Sequence, residues 1–201
     1  MYGFEILIIA VISVLVVLIL VFGFFILREV KKSRLFFNDL ASRYGGRRTR
    51  FPFGMVFTLD QAGEVKISAL QGAIIYKTNI QLREDPGALI TRSYPAFRWL
   101  DPLNYSPGRM RMRFGAPIDE KYAFRARNTG WIREIFTADL LEKLHSEGRV
   151  TRLEIRHKKL RGAMLMIWFS DEEKEKARQS IEILNSVVQR VVTSSLAVKP
   201  K

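Results

Sequence analysis

"ILIIAVISVLVVLILVFGFFIL", residues 6 to 27, contains no charged residue, and its only interruptions are Ser13 and Gly23. As an α-helix this stretch extends about 33 Å, which matches a bilayer hydrocarbon core of about 30 Å. A core helix of a soluble protein would contain polar residues over this length, and the apolar region of a signal peptide is shorter and follows cations. The stretch therefore predicts a transmembrane helix, with residues 1–27 forming a short external N-terminus and the span.

The charges on either side of the span predict its orientation. No Lys or Arg precedes it, whereas Arg28, Lys31, Lys32 and Arg34 follow it. Because cytoplasmic flanks carry an excess of Lys and Arg, residues 28–201 are expected in the cytoplasm and the N-terminus outside. We therefore expect a single-pass protein of the bacterial inner (cytoplasmic) membrane.

Composition limits the classes of site and partner. The chain has 201 residues and no cysteine, which excludes disulfides, thiolate metal sites and cysteine nucleophiles. Its two histidines are too few for a multi-histidine metal site. The formal net charge of +13 predicts partners that carry negative charge, such as phospholipid, nucleic acid or an acidic protein surface.

Residues 28–50 are predicted to form a basic juxtamembrane helix and linker. Apolar residues among the cations, from Leu35 to Leu40, have near-helical spacing, so the spanning helix is expected to continue to about Tyr44 and to break at Gly45-Gly46. Cations close to an anionic leaflet each contribute about 1 kcal/mol of binding. A topology-setting flank explains the first four cations equally well. The predicted membrane-surface residues are Arg28, Lys31, Lys32, Arg34, Arg47, Arg48 and Arg50.

Residues 51–195 are predicted to form a cytoplasmic α+β domain, an antiparallel β-sheet with helices packed on one face, followed by a tail over 196–201. Four short β-type segments predict a meander over 51–93, and alternating segments predict two further pairs of strands. One helical segment has Thr137 as its predicted N-cap, and Ser170 with Glu173 forms a capping box for the last helix. The predicted strand segments are MVFTLD, EVKISAL, GAIIYKTNI, GALITRS, GRMRMRF, KYAFRAR, RVTRLEIRH and LRGAMLMIWFS.

A proline-interrupted run of aromatic residues, YPAFRWLDPLNY, lies between two of these segments. Aromatic and Arg side chains on a loop stiffened by proline are residue types that dominate protein interfaces. The same rings would also fit a minor core beneath the sheet edge, or the membrane interface. We expect a docking loop whose partner-binding residues are Tyr94, Phe97, Arg98, Trp99 and Tyr105.

Three arginines at alternate positions, Arg109, Arg111 and Arg113, are expected on one face of a strand, with Met110, Met112 and Phe114 on the opposite, core face. Such a face is either a solvated surface or a site that grips phosphates or a partner's carboxylates. If the next strand pairs with this one, its Arg125 and Arg127 join the patch. A second basic concentration, over residues 149–161, would extend the patch or face the membrane.

Motifs for catalysis are absent from the sequence. There is no phosphate-binding glycine loop, GxSxG, HExxH, DxDxDG or CxxC. His145 lies near a helix C-terminus and His157 lies among cations, where structural roles suffice. We therefore predict no enzyme activity, no cofactor and no metal.

The layout resembles the H subunit of purple-bacterial photosynthetic reaction centres. The likeness is carried by the span from Ile6 to Leu27, its basic flank and the strand-rich remainder. The segments FRAR, GWIREIFTADLLEKL and RLEIRHKKLRG also resemble bacterial membrane-anchored proteins of unknown function. The first resemblance implies an accessory subunit without catalytic residues.

The sequence thus favours a non-catalytic single-span accessory or scaffold subunit of a larger bacterial membrane complex, photosynthetic or respiratory. Its expected partners are other membrane protein subunits and anionic phospholipid. The alternatives are a membrane-tethered module that binds anionic lipid and, supported by charge alone, a tethered nucleic-acid binder.

Overall fold

A computed structural model describes residues 2–49, 54–60, 62–70, 73–92, 108–147, 149–165 and 170–198. The helices within these ranges are α1 (Tyr2–Arg43), α2 (Ile118–Lys121), α3 (Thr129–Ile135), α4 (Ala138–Ser146) and α5 (Asp171–Thr193). The strands are β1 (Arg47–Thr49), β2 (Gly54–Leu59), β3 (Gly63–Leu70), β4 (Ala73–Asn79), β5 (Ala88–Arg92), β6 (Met110–Met112), β7 (Tyr122–Ala126), β8 (Val150–Arg156) and β9 (Lys159–Leu165).

The strands form one antiparallel sheet in the order β1-β2-β3-β4-β9-β8-β5-β7-β6. The predicted α+β class is confirmed. The predicted meander is correct from β2 to β4 but wrong for β5, because the β8–β9 hairpin lies between β4 and β5. Residues 80–87 permit this order, since at about 3.3 Å per residue they reach about 26 Å, beyond the roughly 14 Å that separates strands three positions apart.

One face of the sheet is the core face. Paired positions place a continuous apolar row across it, from Met55 in β2 to Met112 in β6. Helix α5 supplies the opposing apolar stripe, in which Ile181, Leu184 and Val188 are fully buried. The side chains of the sheet row are Met55, Ile67, Tyr76, Leu153, Ile90, Phe124 and Met112, with Gly162 between Tyr76 and Leu153.

The last part of α1 belongs to this core. Phe36, Phe37 and Leu40 are at most 2% exposed and pack in the same apolar cluster as the sheet, whereas the adjacent Leu35 is 58% exposed. The helix ends at Arg43, and Gly45 follows it with φ of 62°, which confirms the predicted break. The segment predicted to be a juxtamembrane helix and linker therefore also supplies core residues.

Helices α1 and α5 lie side by side and point in the same direction. Asp39 Oδ2 accepts hydrogen bonds from Arg178 Nε at 3.1 Å and from Arg178 Nη2 at 2.9 Å. Arg43 Nη1 lies 3.6 Å from Glu182 Oε1. From the first pair to the second, each helix advances by four residues in the same direction, so the two helices are parallel. The C-terminal end of α1 is thus held by polar pairs as well as by apolar packing.

Helix α5 begins as predicted, since Ser170 Oγ accepts a hydrogen bond from the Glu173 backbone N–H at 3.2 Å. It lies so close to the sheet that a Cβ added to Gly162 would stand 2.7 Å from Leu184 Cδ1. The buried Tyr76 hydroxyl donates to Asn185 Oδ1 at 2.8 Å. These contacts join the middle of α5 to strands β4 and β9.

Three local predictions need correction. The helical segment before β8 is two helices, and Thr137 is the N-cap of α4 without a side-chain cap hydrogen bond. Met110, expected in the core, is 59% exposed because it begins a three-residue edge strand. The expected tail from residue 196 is paired, since Ala197 bridges to Leu82 and the Val198 N–H donates to Gln81 O at 3.1 Å.

Burial of Tyr76 predicts a loss of stability at high pH. Burial, and then the nearby Tyr44, raises the pKa of the Tyr76 phenol. The unfolded chain releases this proton above about pH 10 while the folded protein retains it, so the free energy of unfolding falls above that pH by about 1.4 kcal/mol per unit. Tyr76→Phe should lower stability near neutral pH, and its deficit relative to the wild type should narrow between pH 10 and 11.5 in urea titrations. Parallel pH profiles would contradict this.

Candidate functional site: a cationic sheet face

The face of the sheet opposite the core carries a row of positive charges. Because side chains alternate along each strand, cross-strand partners on this face form one line over all nine strands, about 38 Å wide. The line contains six cations and one carboxylate. From β6 to β1 its members are Arg111, Arg125, Leu89, Glu154, Arg161, Lys77, Lys66, Val56 and Arg47.

This row, together with Arg152 and Arg156 on the same side of β8, is called the cationic face below. Arg47, Lys66, Lys77, Arg111 and Arg161 are exposed. The apolar clusters of the described helices lie on the other side of the sheet. The cationic face is therefore accessible to a macromolecule at these five positions.

Like charges stand directly opposite each other on this face. Lys66 is paired with Lys77, Lys77 with Arg161, and Arg111 with Arg125. Like charges at cross-strand positions destabilise a sheet, by an amount of the same order as the roughly 0.2–1 kcal/mol that a favourable pair contributes. A bound surface of negative charge would convert this repulsion into attraction.

Glu154 is the one carboxylate in this row of cross-strand partners. Its side chain is 11% exposed and lies 2.5 Å from Arg156 Nη2 and 3.5 Å from Arg152 Nη2. Arg161 is its cross-strand partner on β9. Arg152, Glu154, Arg161 and Ala163 line a shallow cavity of about 150 Å³. One carboxylate here is surrounded by three guanidinium groups.

Arg109 and Arg127 extend the positive charge beyond β6 and β7. Partial burial and then the neighbouring Arg156 lower the pKa of the Arg109 guanidinium, and Arg127 acts in the same direction. Arg127 lies across Gly87, with its Nη1 3.6 Å from Asp85 Oδ2. Arg109 and Arg127, which flank β6 and β7, therefore lie close to the positive charge of Arg156 on β8.

The structure brings together several of the residues predicted to bind a partner. Arg111 and Arg125 are paired as expected, and the basic segment 149–161 extends the patch through Arg152, Arg156 and Arg161. Arg109 and Arg113 flank β6, and the Arg113 carbonyl accepts from Arg133 Nη2 at 3.3 Å. Five predicted partner-binding residues lie outside the described ranges, and their role stays a prediction: Tyr94, Phe97, Arg98, Trp99 and Tyr105.

The predicted membrane-surface residues occupy different positions. Arg28, Lys31 and Arg34 are exposed, and Lys32 Nζ lies 2.7 Å from Glu29 Oε1. Arg47 lies on the cationic face, Arg48 Nη1 donates to Asn38 Oδ1 at 3.1 Å, and Arg50 lies outside the described ranges. Their contact with a membrane stays a prediction.

Lys66 and Lys77 were not singled out by the sequence. Each lysine lies in a predicted strand next to apolar residues. This alternation indicates that the lysine side chain points to solvent while its neighbours point to the core. Only the register between strands shows that both belong to a row with Arg161. Alternation within EVKISAL and GAIIYKTNI was the available signal.

Within the part of the chain that the structure describes, no group of three or more His, Asp or Glu side chains is placed to hold a metal ion. Among the described residues, one helix segment, Val11–Arg43, is long and apolar enough to cross a membrane, and its most apolar window is not buried against the rest of the structure. The described residues thus offer a charged surface and an exposed apolar helix.

Comparison with known proteins yields little likeness. No family model matches the chain, and no curated protein matches it. The crystal structure of the mycobacterial trehalose monomycolate transport factor A, TtfA, is similar with a TM-score of 0.48 and 10% sequence identity, covering 81% of this chain and 86% of that one. The resemblance to the reaction-centre H subunit stays a prediction.

Proposed function

We propose that this chain is a non-catalytic, single-span accessory subunit of a larger bacterial membrane protein complex. The cationic face binds an acidic cytoplasmic surface of a neighbouring subunit. The observation that carries this proposal is a sheet face with five exposed cations, on a domain whose core includes the end of α1.

The direction of the cationic face favours a lateral partner. Helix α1 packs in the helix layer, beside α5 and over the core face of the sheet. The α1 axis therefore lies within the helix layer, and the plane of the sheet is roughly parallel to that axis. With α1 crossing the bilayer, the cationic face points sideways in the cytoplasm, toward neighbouring membrane proteins.

Position in the membrane follows from the flanking charges. The four cations between residues 28 and 34 support a cytoplasmic position for the domain under the positive-inside rule. Inner-membrane location with an external N-terminus is part of the proposal. An acidic partner surface must then lie on the cytoplasmic side.

Anionic lipid is the second candidate, and exposed Arg28, Lys31 and Arg34 favour it. These residues directly follow the apolar stretch, within reach of the headgroup region. Arg47 of the cationic face follows Arg43, which ends α1 about 24 Å beyond Leu27, and the attraction of an exposed charge to a leaflet is screened over about 8–10 Å. The lipid role therefore explains the flank but not Arg47.

Co-purification tests the proposal. The double variant Lys66→Glu, Lys77→Glu replaces one like-charge pair by another at the same cross-strand position. It also removes the exposed ion pair of Lys66 with Glu64, which contributes about 0–1 kcal/mol, so the fold should be retained. Full-length protein is purified in mild detergent, and co-eluting proteins are quantified by mass spectrometry. Recovery of the partner should fall at least tenfold, because two attractive contacts become repulsive.

The matched control is Arg83→Glu, Lys143→Glu, which changes the net charge equally at exposed positions off the cationic face. It should leave partner recovery unchanged. Equal recovery with both variants would contradict the proposal. Loss of only co-eluting anionic phospholipid, or only nucleic acid, from the Lys66/Lys77 variant would overturn it in favour of the corresponding alternative.

A further inference from the structure

We infer that the cavity lined by Arg152, Glu154, Arg161 and Ala163 takes a carboxylate side chain, Asp or Glu, from the acidic partner surface. This inference rests on the proposed function and assigns its central contact. The cavity is called the carboxylate notch below. Arg161 is assigned the direct contact, and Glu154 is a positioning residue for the arginines beside it.

The charges around the notch are unequal. Glu154 carries one negative charge and is already shared by Arg152 at 3.5 Å and Arg156 at 2.5 Å. Arg161, its cross-strand partner, makes no hydrogen bond or ion pair within the described parts of the chain. The notch therefore has an uncompensated guanidinium group at its edge, with donors free to receive an anion.

Arginine suits this role because its planar fork binds both oxygens of a carboxylate. Ala163, two residues farther along β9, has a side chain too small to fill the space beside Arg161. Glu154 holds Arg156 and Arg152 toward itself, which keeps them from closing over that space. The incoming carboxylate therefore binds Arg161, while Arg152 and Arg156 are held in place by Glu154.

The size and charge of the notch suit a small anion. A volume of about 150 Å³ admits a carboxylate with its adjacent methylene groups. Glu154 offsets one of the three positive charges around it, so the notch keeps a net positive charge that a carboxylate complements. A carboxylate side chain of an acidic protein surface is the ligand that this proposal assigns.

The test compares Arg161 with Lys77, its cross-strand neighbour on the same face. Arg161→Gln and Lys77→Gln each remove one positive charge from adjacent positions, and Arg161→Lys keeps the charge but removes the fork. Full-length protein in zwitterionic nanodiscs is titrated into a fluorescent hexaglutamate peptide, and binding is followed by anisotropy at low salt.

Arg161→Gln should weaken peptide binding at least tenfold and Arg161→Lys several-fold, whereas Lys77→Gln, which removes a charge of the cationic face outside the notch, should weaken it only about threefold. Equal weakening by Arg161→Gln and Lys77→Gln would show a diffuse field and overturn the notch, while the proposed function would survive. Inorganic phosphate that displaces the peptide more effectively than acetate at equal ionic strength would overturn the carboxylate assignment. Failure of the proposed function itself is seen separately, as full partner recovery by the Lys66/Lys77 variant.

Discussion

Replacing Phe37 by alanine is expected to lower the free energy of unfolding of the sheet domain by about 3–5 kcal/mol, although Phe37 belongs to the same helix as the apolar N-terminal segment. Its side chain is 0% exposed and its ring meets that of Phe36 edge to face at 5.3 Å. Truncation removes both the burial of the ring and its packing partners. For a domain of this size the loss corresponds to a melting temperature lower by about 6–20 °C.

Leu35→Ala is the matched control, because Leu35 lies two residues earlier on α1 and is 58% exposed. It should change stability by no more than about 0.5 kcal/mol. Both variants are measured as full-length protein in the same detergent, by thermal and urea unfolding followed through tryptophan fluorescence. Equal stabilities of Phe37→Ala and wild type would mean that α1 does not pack in the domain core.

A large effect of Phe37→Ala has a consequence for function. If the end of α1 is part of the core, the span and the sheet form one body, and the polar pair between Asp39 and Arg178 fixes their rotation. The cationic face then has a defined direction relative to the membrane. The partner would then bind a surface whose orientation is already fixed, which reduces the entropy lost on binding.

Local patterns in the sequence predicted most elements of the fold. The break at Gly45, the capping of α5 by Ser170 and the strand containing Lys66 each depend on neighbouring residues, which the sequence displays directly. Phe37 was assigned to a basic flank, because cations on both sides of it indicated a membrane surface. Its burial depends on packing against other parts of the chain, which periodicity alone does not reveal.

The candidate site was predictable only in part, for the same reason. Arg111 and Arg125 follow one another along the chain in neighbouring strands, so their pairing was expected. Lys77 and Arg161 are far apart in sequence and become partners only because β9 pairs with β4. Strand order is decided by the whole core, and the row of charges depends on that order. The central position of Glu154 could not be read from its segment.

The position of α5 on the sheet yields the second prediction with a large effect. Leu184 is 0% exposed and lies where a Cβ of residue 162 would stand, 2.7 Å from Leu184 Cδ1. Leu184→Ala should cost about 2–5 kcal/mol through the cavity that it leaves. Gly162→Val should cost about 1–3 kcal/mol, because the added side chain pushes α5 away from β9.

The two changes are complementary in volume, so the double variant should be more stable than the sum of the single losses indicates, by about 0.5–3 kcal/mol. Ala163→Val, one residue along on the opposite face, is the control and should change stability by no more than about 0.5 kcal/mol, since a strand accommodates valine well. Urea unfolding of the four full-length variants measures the cycle. If the two losses of stability are strictly additive, Leu184 of α5 does not contact the sheet at Gly162. The packing of the helix layer on the sheet, from which the lateral direction of the cationic face was inferred, would then be wrong.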